Sequence, residues 1–184
     1  SILKSLINIV QTFHLQAIEP FYYLHKGKND QLRFNVSGVV ENYHKAFELF
    51  SHQQDTIGMV KTHVFYGEFF RKQENFEMAM KHLGNARELE KKCKVPPLIK
   101  VLMLNRIAAV FSETSNPDSS LQYSLLALKN ANEAGLTHYQ AISLNEIGYM
   151  LENQLDKKGI SYYHEAEQIW KTLGLFRYQA NAIL

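Results

Sequence analysis

The sequence predicts an all-α fold made of antiparallel pairs of helices. Three observations favour this class: small residues recur with a period near 40, apolar residues recur at three- and four-residue steps, and prolines fall between the segments so defined. Only 9 glycines and 4 prolines occur among the 184 residues, which argues against a disordered chain and against a β-sandwich with many turns.

Three series of residues share the period. The first consists of evenly spaced alanines, namely Ala46, Ala86, Ala127 and Ala166. The second lies about half a period upstream of three of them and consists of Gly67, Ala108 and Gly148. In the third, residues 135–141 (GLTHYQA) match residues 174–180 (GLFRYQA) at an offset of one period. Because the three series agree, each repeat is interpreted as one helix pair.

The predicted helices follow from these phases. The first spans residues 2–27, with a break allowed at Pro20, and supplies the partner of the first repeat helix. The others run over residues 35–53, 56–73, 75–92, 97–114, 118–134, 138–154, 157–173 and from 176 onward. In the two helices of one pair, the apolar stripes are Val60, Val64, Gly67 and Phe70, then Phe76, Ala79, Leu83 and Ala86.

Proline and glycine punctuate these segments. Pro96, Pro97 and Pro117 stand at or just before predicted helix starts, where the missing proline N–H is harmless. Gly135 and Gly174 follow predicted helix ends, where a residue in the left-handed conformation commonly stops a helix. Both kinds of residue therefore agree with the boundaries that the apolar stripes predict.

At these phases the sequence resembles the tetratricopeptide-repeat (TPR) family. The helix A pattern of that family is matched by Leu144, Ile147, Gly148 and Leu151, and its helix B pattern by Phe76, Ala79, Leu83 and Ala86. The resemblance covers residues 35–184 and implies a right-handed superhelix of antiparallel helix pairs, a TPR-like α-solenoid. The period is near 40 instead of 34, Ser120 and Gly159 replace the first helix B alanine, and the closing proline is missing. HEAT-type repeats, which share the longer period, are the alternative.

Two regions are predicted. Residues 1–34 form an N-terminal helical segment that pairs with the first repeat, and residues 35–184 form the repeat array. The last predicted helix is about half complete by analogy with the helix that starts near His138, and it ends on the apolar pair Ile183 and Leu184. Because arrays need a polar face at their ends, we expect this array to continue in a longer protein or to pair with another chain.

Composition excludes several function classes. Lys+Arg is 20 and Asp+Glu is 18, so the net charge of +2 argues against a dedicated nucleic-acid binder. The single Cys93 excludes a disulfide framework and a cysteine-rich zinc site. Cys93 lies among lysines, which favours a solvated helix end over a reactive thiol. The apolar runs are too short for a membrane span, and a cytoplasmic location is expected.

No catalytic or metal-binding pattern is present in the sequence. The eight histidines lack the H-E-x-x-H spacing, and His44 and His52 are separated by about two helical turns, too far for one helix face to chelate an ion. His63 falls at a core phase of its helix. Phosphate-binding glycine loops are also missing. We therefore expect no cofactor, no metal and no enzymatic activity.

The candidate binding site is a pair of asparagines. Asn105 and Asn145 lie one period apart at one phase of the inner helices, while the preceding repeat has Val64 there. The resemblance implies that such asparagines hold the backbone of an extended peptide, since a carboxamide has both a donor and an acceptor. The alternative is that both are solvated or cap a loop. The other residues predicted on this face are Lys61, Glu68, Arg71, Ser112, Tyr149 and Glu152.

The resemblance implies a non-catalytic scaffold that binds a peptide or protein segment in its concave face. Long-period units of this kind resemble the repeats of bacterial signalling proteins, including sensor kinases of two-component systems and peptide-responsive regulators. The chain is then the sensory or interaction part of a larger protein. A self-association module that forms a homodimer through its terminal helices is the alternative, and an enzyme whose site forms only in three dimensions is a third hypothesis.

Overall fold

A computed structural model describes residues 16–175 together with residue 5 and residues 7–9. Residues 16–175 form eight α-helices and contain no β-strand, so the all-α prediction is confirmed. The helices are α1 (Glu19–Leu32), α2 (Val36–His52), α3 (Thr56–Lys72), α4 (Phe76–Glu90), α5 (Pro97–Glu113), α6 (Pro117–Glu133), α7 (Thr137–Asn153) and α8 (Lys158–Thr172).

The largest departure from the predicted boundaries is at the N-terminal helix. Its expected end at residue 27 is wrong, because α1 continues to Leu32. Pro20 lies in the first turn of α1, so the break that the sequence allows at this proline coincides with the start of a helix. Most of residues 2–15 lies outside the described residues. So does the helix predicted from 176 onward, including Ile183 and Leu184.

The chain divides into two compact units, Ser1–Lys94 and Val95–Leu184. In the first unit α1 packs on α2, α2 on α3, and α3 on α4. In the second unit α5 packs on α6, α6 on α7, and α7 on α8. Each unit therefore contains two helix pairs. The boundary follows α4, where residues 91–96 replace the short turns found between the other helices.

Small residues line the contacts within each helix pair. The four alanines of the repeat series, Ala46, Ala86, Ala127 and Ala166, are completely buried. This burial agrees with their common phase in the repeat series. At Gly67 an added Cβ atom would lie 2.6 Å from Cγ of Leu83, and at Gly148 it would lie 3.0 Å from Cδ1 of Tyr163. The small side chains allow the paired helices to approach closely.

Gly27 is a further member of the glycine series. It lies one period before Gly67, and a Cβ atom at this position would collide with the ring of Tyr43 on α2. The contact is equivalent to the approach of Gly67 to Leu83. Thus α1 occupies the same position in its helix pair as α3 does in the next one.

The turns between helices repeat one hydrogen-bonding scheme. After α2, Gln54 has a φ of 56°, and the next residue, Asp55, donates its N–H to the carbonyl of Phe50 at 2.9 Å. This is a Schellman arrangement. The Asp55 carboxylate then accepts the N–H of Gly58 at 2.8 Å and caps α3. Asn35, Asn75 and Asn116 cap α2, α4 and α6 in the same way.

The left-handed residue of this scheme is a glycine at two of the turns. Gly135 and Gly174 have φ values of 65° and 70°, as the sequence predicts for residues that follow helix ends. Non-glycine residues take the same conformation after five other helices, namely Phe34, Gln54, Glu74, Ser115 and Leu155. The turns thus conserve their geometry more closely than their residue type.

Among the described helices, none combines the length and the apolar character needed to cross a bilayer.

Candidate functional site

The predicted site residues are divided between the two compact units. Lys61, Glu68 and Arg71 lie on α3 of the first unit. The other five lie on α5 and α7 of the second unit, namely Asn105, Ser112, Asn145, Tyr149 and Glu152. Each group forms a separate surface, and the two are described in turn.

Asn105 lies at the contact between α5 and α7. Only 3% of its surface is exposed, and its Oδ1 lies 3.0 Å from the hydroxyl oxygen of Ser143. The same hydroxyl lies 3.0 Å from the carbonyl oxygen of Tyr139, and its single hydrogen can be donated to one acceptor at a time. The alternative that Asn105 is solvated is therefore wrong, because α7 packs against its side chain.

The amides of Asn105 and Asn145 each retain one unused polar atom. Nδ2 of Asn105 and Oδ1 of Asn145 are both inaccessible to solvent and have no hydrogen-bond partner within residues 16–175. The first atom is a donor and the second is an acceptor. A peptide unit offers the complementary pair, a carbonyl oxygen and an N–H. Buried polar atoms are nearly always paired, so these two atoms are available to a partner group if the amides become accessible.

Tyr149 and Glu152 continue the α7 face beyond Asn145. Tyr149 is 47% exposed, and Glu152 is also exposed. The Glu152 carboxylate accepts a hydrogen bond of 3.0 Å from the Tyr163 hydroxyl on α8. The pKa of Tyr163 is raised, first by burial and then by this hydrogen bond and the nearby negative charges. Glu152 therefore contributes to the α7–α8 contact, whereas Tyr149 presents an exposed aromatic surface.

Glu68 and Arg71 form an ion pair on α3. Nε and Nη2 of Arg71 donate to the two carboxylate oxygens of Glu68 at 3.0 and 3.1 Å. Lys72 adds a contact of 3.6 Å to the same carboxylate. Lys61 lies two turns earlier on α3, and its Nζ is 5.5 Å from the centre of the Phe21 ring on α1. In the first unit the charged residues predicted from sequence thus lie on one helix, with Glu68 already neutralised.

Sequence reasoning missed a histidine pair in the first unit. Nδ1 of His63 on α3 lies 3.0 Å from Nδ1 of His82 on α4. The rings of Tyr66 and Phe70 stack on His82, with centroid distances of 4.4 and 5.4 Å. Burial, followed by the proximity of His82, lowers the pKa of His63 to about 4. The pair is therefore neutral near pH 7.

Cys93 has the character of an ordinary thiol. Its pKa is raised by burial and by the carboxylates of Glu90 and Asp55, so the neighbouring lysines do not activate it. Within the part of the chain that the structure describes, no three histidine, cysteine, aspartate or glutamate side chains are grouped as a metal site requires.

Comparison with protein-family models gives no match, and neither does comparison with curated protein sequences. Several solved structures are similar. RapI in its apo form matches with a TM-score of 0.71 at 17% identity, over 94% of this chain and 48% of that protein. Aspartyl phosphate phosphatase F from Bacillus subtilis matches with a TM-score of 0.76 at 14% identity, over 96% of this chain and 47% of that protein. BtubC from P. vanneervenii matches with a TM-score of 0.64 at 17% identity, over 78% of this chain and 59% of that protein.

These likenesses show the fold of the chain. It has a TPR-like helical-repeat architecture, as the sequence resemblance implies. The chain spans about half the length of the first two proteins that it matches. At identities this low, the likeness carries no site residue from those proteins to this one.

Proposed function

We propose that this chain is a non-catalytic helical-repeat scaffold that binds a peptide or protein segment. It serves as the sensory or interaction part of a larger bacterial signalling or regulatory protein. The likeness to RapI and to aspartyl phosphate phosphatase F supports the repeat architecture, and the chain covers only about half of each. The residues that support binding are Asn105 and Asn145.

The observation that carries this proposal is the complementary pair of unused amide atoms. Nδ2 of Asn105 would donate to a peptide carbonyl, and Oδ1 of Asn145 would accept a peptide N–H. Both atoms are inaccessible in the free chain, so binding requires the two amides to rotate towards the ligand. Recognition of backbone groups tolerates many peptide sequences, and Tyr149 would add contact with a side chain.

A peptide titration tests the proposal. The chain is incubated with an array of short peptides of random sequence, and the peptides retained are titrated by fluorescence anisotropy. Loss of one neutral hydrogen bond weakens binding by up to about tenfold, so Asn145→Ala should raise Kd by that factor. Asn132→Ala is the control, because this exposed asparagine lies on α6. Retention of no peptide, or equal affinity of the folded Asn145→Ala variant, would contradict the proposal.

Two further measurements separate this proposal from its alternatives. One structural neighbour is named a phosphatase, so release of phosphate from an acyl phosphate is measured with the isolated chain. We expect no release above the rate without protein. Sedimentation over a range of concentrations tests the self-association module. A dimer that forms without any bound peptide would favour assembly over peptide binding.

A further inference from the structure

Two lysines of the first unit reach across to rings of the opposite helix. Nζ of Lys28, on α1, lies 4.9 Å from the ring centre of Phe65 on α3. Nζ of Lys61, on α3, lies 5.5 Å from the ring centre of Phe21 on α1. Both distances fit cation–π interactions. These reciprocal contacts hold both ammonium groups at the surface where α1 and α3 lie side by side.

The α1–α3 patch, defined as Phe21, His25, Lys28, Lys61 and Phe65, is positively charged and accessible. His25 and Lys28 are exposed, and the other three are half-buried. Neither lysine has a carboxylate partner among the residues that the structure describes. Partial desolvation of the His25 ring, followed by the charges of Lys28 and Lys61, lowers the pKa of His25.

The nearest acidic side chain on α3 does not neutralise the patch. The Glu68 carboxylate is held by Arg71 at 3.0 Å and by Lys72 at 3.6 Å. The Glu68 carboxylate is therefore engaged by cations of its own helix, and the two lysines of the patch lie beside two aromatic rings that remain partly open.

We propose that the α1–α3 patch docks an acidic peptide segment. Carboxylates of the segment would pair with Lys28 and Lys61, and its apolar side chains would cover Phe21 and Phe65. This inference rests on the proposed function and names the chemistry of the partner. Phe21 lies one period before Lys61, and Lys28 lies one period before Glu68, so the patch occupies the repeat phase of the predicted binding face.

A peptide fits the patch better than other polyanions do. Nucleic-acid binding depends on many phosphate contacts from a row of lysines and arginines, whereas this patch has two unpaired lysines. Attraction to an anionic membrane likewise grows with the number of basic residues near its surface. Two fixed cations flanked by two rings match a short segment in which acidic and apolar side chains alternate.

The test uses two pools of short fluorescein-labelled peptides with the whole chain. In the first pool Asp or Glu alternates with Leu, Phe or Ala, and in the second Asn or Gln replaces the acidic residues. We expect the acidic pool to bind more tightly and to lose affinity as salt is raised. The double variant Lys28→Gln/Lys61→Gln should weaken binding of the acidic pool by up to about fivefold for each lysine.

The control variant, Lys45→Gln/Lys94→Gln, removes two exposed charges elsewhere in the first unit and should bind as the unmodified chain does. Lys28→Arg/Lys61→Arg should retain the preference, and circular dichroism checks that each variant is folded. Equal binding of the two pools would overturn the acidic preference while leaving peptide binding intact. Binding of neither pool would overturn the α1–α3 patch as a docking site, whereas the proposed function is overturned only if the random peptide array also gives no binding. Stronger binding to a single-stranded oligonucleotide or to phosphatidylserine vesicles would overturn the assignment to a peptide.

Discussion

His63 and His82 face each other through their Nδ1 atoms at 3.0 Å, one from each helix of the α3–α4 pair. At this distance one ring donates its Nδ1–H and the other accepts it, so the two neutral histidines must adopt different tautomers. If both rings were protonated, two N–H groups would face each other beside the rings of Tyr66 and Phe70. The packing of α3 on α4 therefore depends on the absence of a second proton.

Stability should fall as the solution is acidified from pH 6.5 towards 4. An unfolded histidine binds its proton near pH 6.5, whereas the folded chain holds the pKa of His63 at about 4. Between pH 6.5 and 4 the unfolded state thus binds a proton that the folded state does not. Acidification therefore lowers the free energy of the unfolded state relative to that of the folded state. After allowance for solvent screening, we expect a loss of about 1–2 kcal/mol in the free energy of unfolding, measured with urea.

The variant His63→Phe isolates this contribution. It keeps an aromatic ring in place but does not titrate, so its stability should change less between pH 7 and 4.5 than that of the unmodified chain. His164→Gln is the control, since His164 is exposed on α8 and lies 3.8 Å from the carboxylate of Glu167. An equal pH dependence for His63→Phe and the unmodified chain would exclude the histidine pair as its origin.

Two glycines should respond to alanine with opposite signs. Gly84 lies exposed within α4, and a Cβ atom there meets nothing within 4 Å. Gly84→Ala should therefore stabilise the chain by about 0.5–1 kcal/mol through helix propensity. At Gly159 the added Cβ would lie 2.8 Å from the carbonyl oxygen of Gly148, so α7 and α8 must separate. Gly159→Ala should destabilise the chain in urea unfolding, and a stabilising effect would mean that the helices are not in close contact.

Overpacking at the repeat alanines should also reduce stability. Ala86 is completely buried between α3 and α4, so Ala86→Leu should lower the free energy of unfolding by about 1–3 kcal/mol. The neighbouring Asn85 is exposed on the same helix, and Asn85→Leu provides the matched control. Thermal melts of both variants give the comparison. Similar melting temperatures would show that position 86 has room for a larger side chain.

The caps of the helices offer a separate test of the turn scheme. Asp55 accepts the N–H of Gly58 at 2.8 Å, and its loss leaves that donor without the side-chain partner. Asp55→Ala should cost about 0.5–2 kcal/mol in urea unfolding. Gln73→Ala changes an exposed residue that follows α3 and should have little effect. If the two variants lost equal stability, the Asp55 side chain would not be the source of the effect.

The fold could be predicted because its signal is periodic. Close helix contacts need a small residue once per pair, and this requirement places Ala46, Ala86, Ala127 and Ala166 at one spacing. Gly27 obeys the same rule, although the glycine series predicted from sequence begins only at Gly67. The non-glycine turn residues give no such signal, since Phe34 and Leu155 are unusual in the left-handed conformation.

The site could be predicted only in part, because side-chain pairing across helices depends on register. Asn105 and Asn145 share a repeat phase, but only the packing of α5 on α7 brings Ser143 against Asn105. Similarly, His63 and His82 meet because α3 and α4 are antiparallel neighbours, and the side-chain contacts between them depend on packing that the repeat period does not specify.

Asn105 should show a conflict between stability and binding. Its buried Nδ2 has no partner in the free chain, and an unpaired buried polar group costs about 1–3 kcal/mol. Leucine has a similar volume and no polar atoms, and after the substitution Ser143 can still donate to the carbonyl of Tyr139. We therefore expect Asn105→Leu to raise the melting temperature while it weakens binding of the peptides retained by the unmodified chain. Asn132→Leu, at an exposed position of α6, should change neither property. A fall in melting temperature for Asn105→Leu would assign the asparagine to the packing of α5 on α7, and higher stability with unchanged affinity would remove it from the binding site.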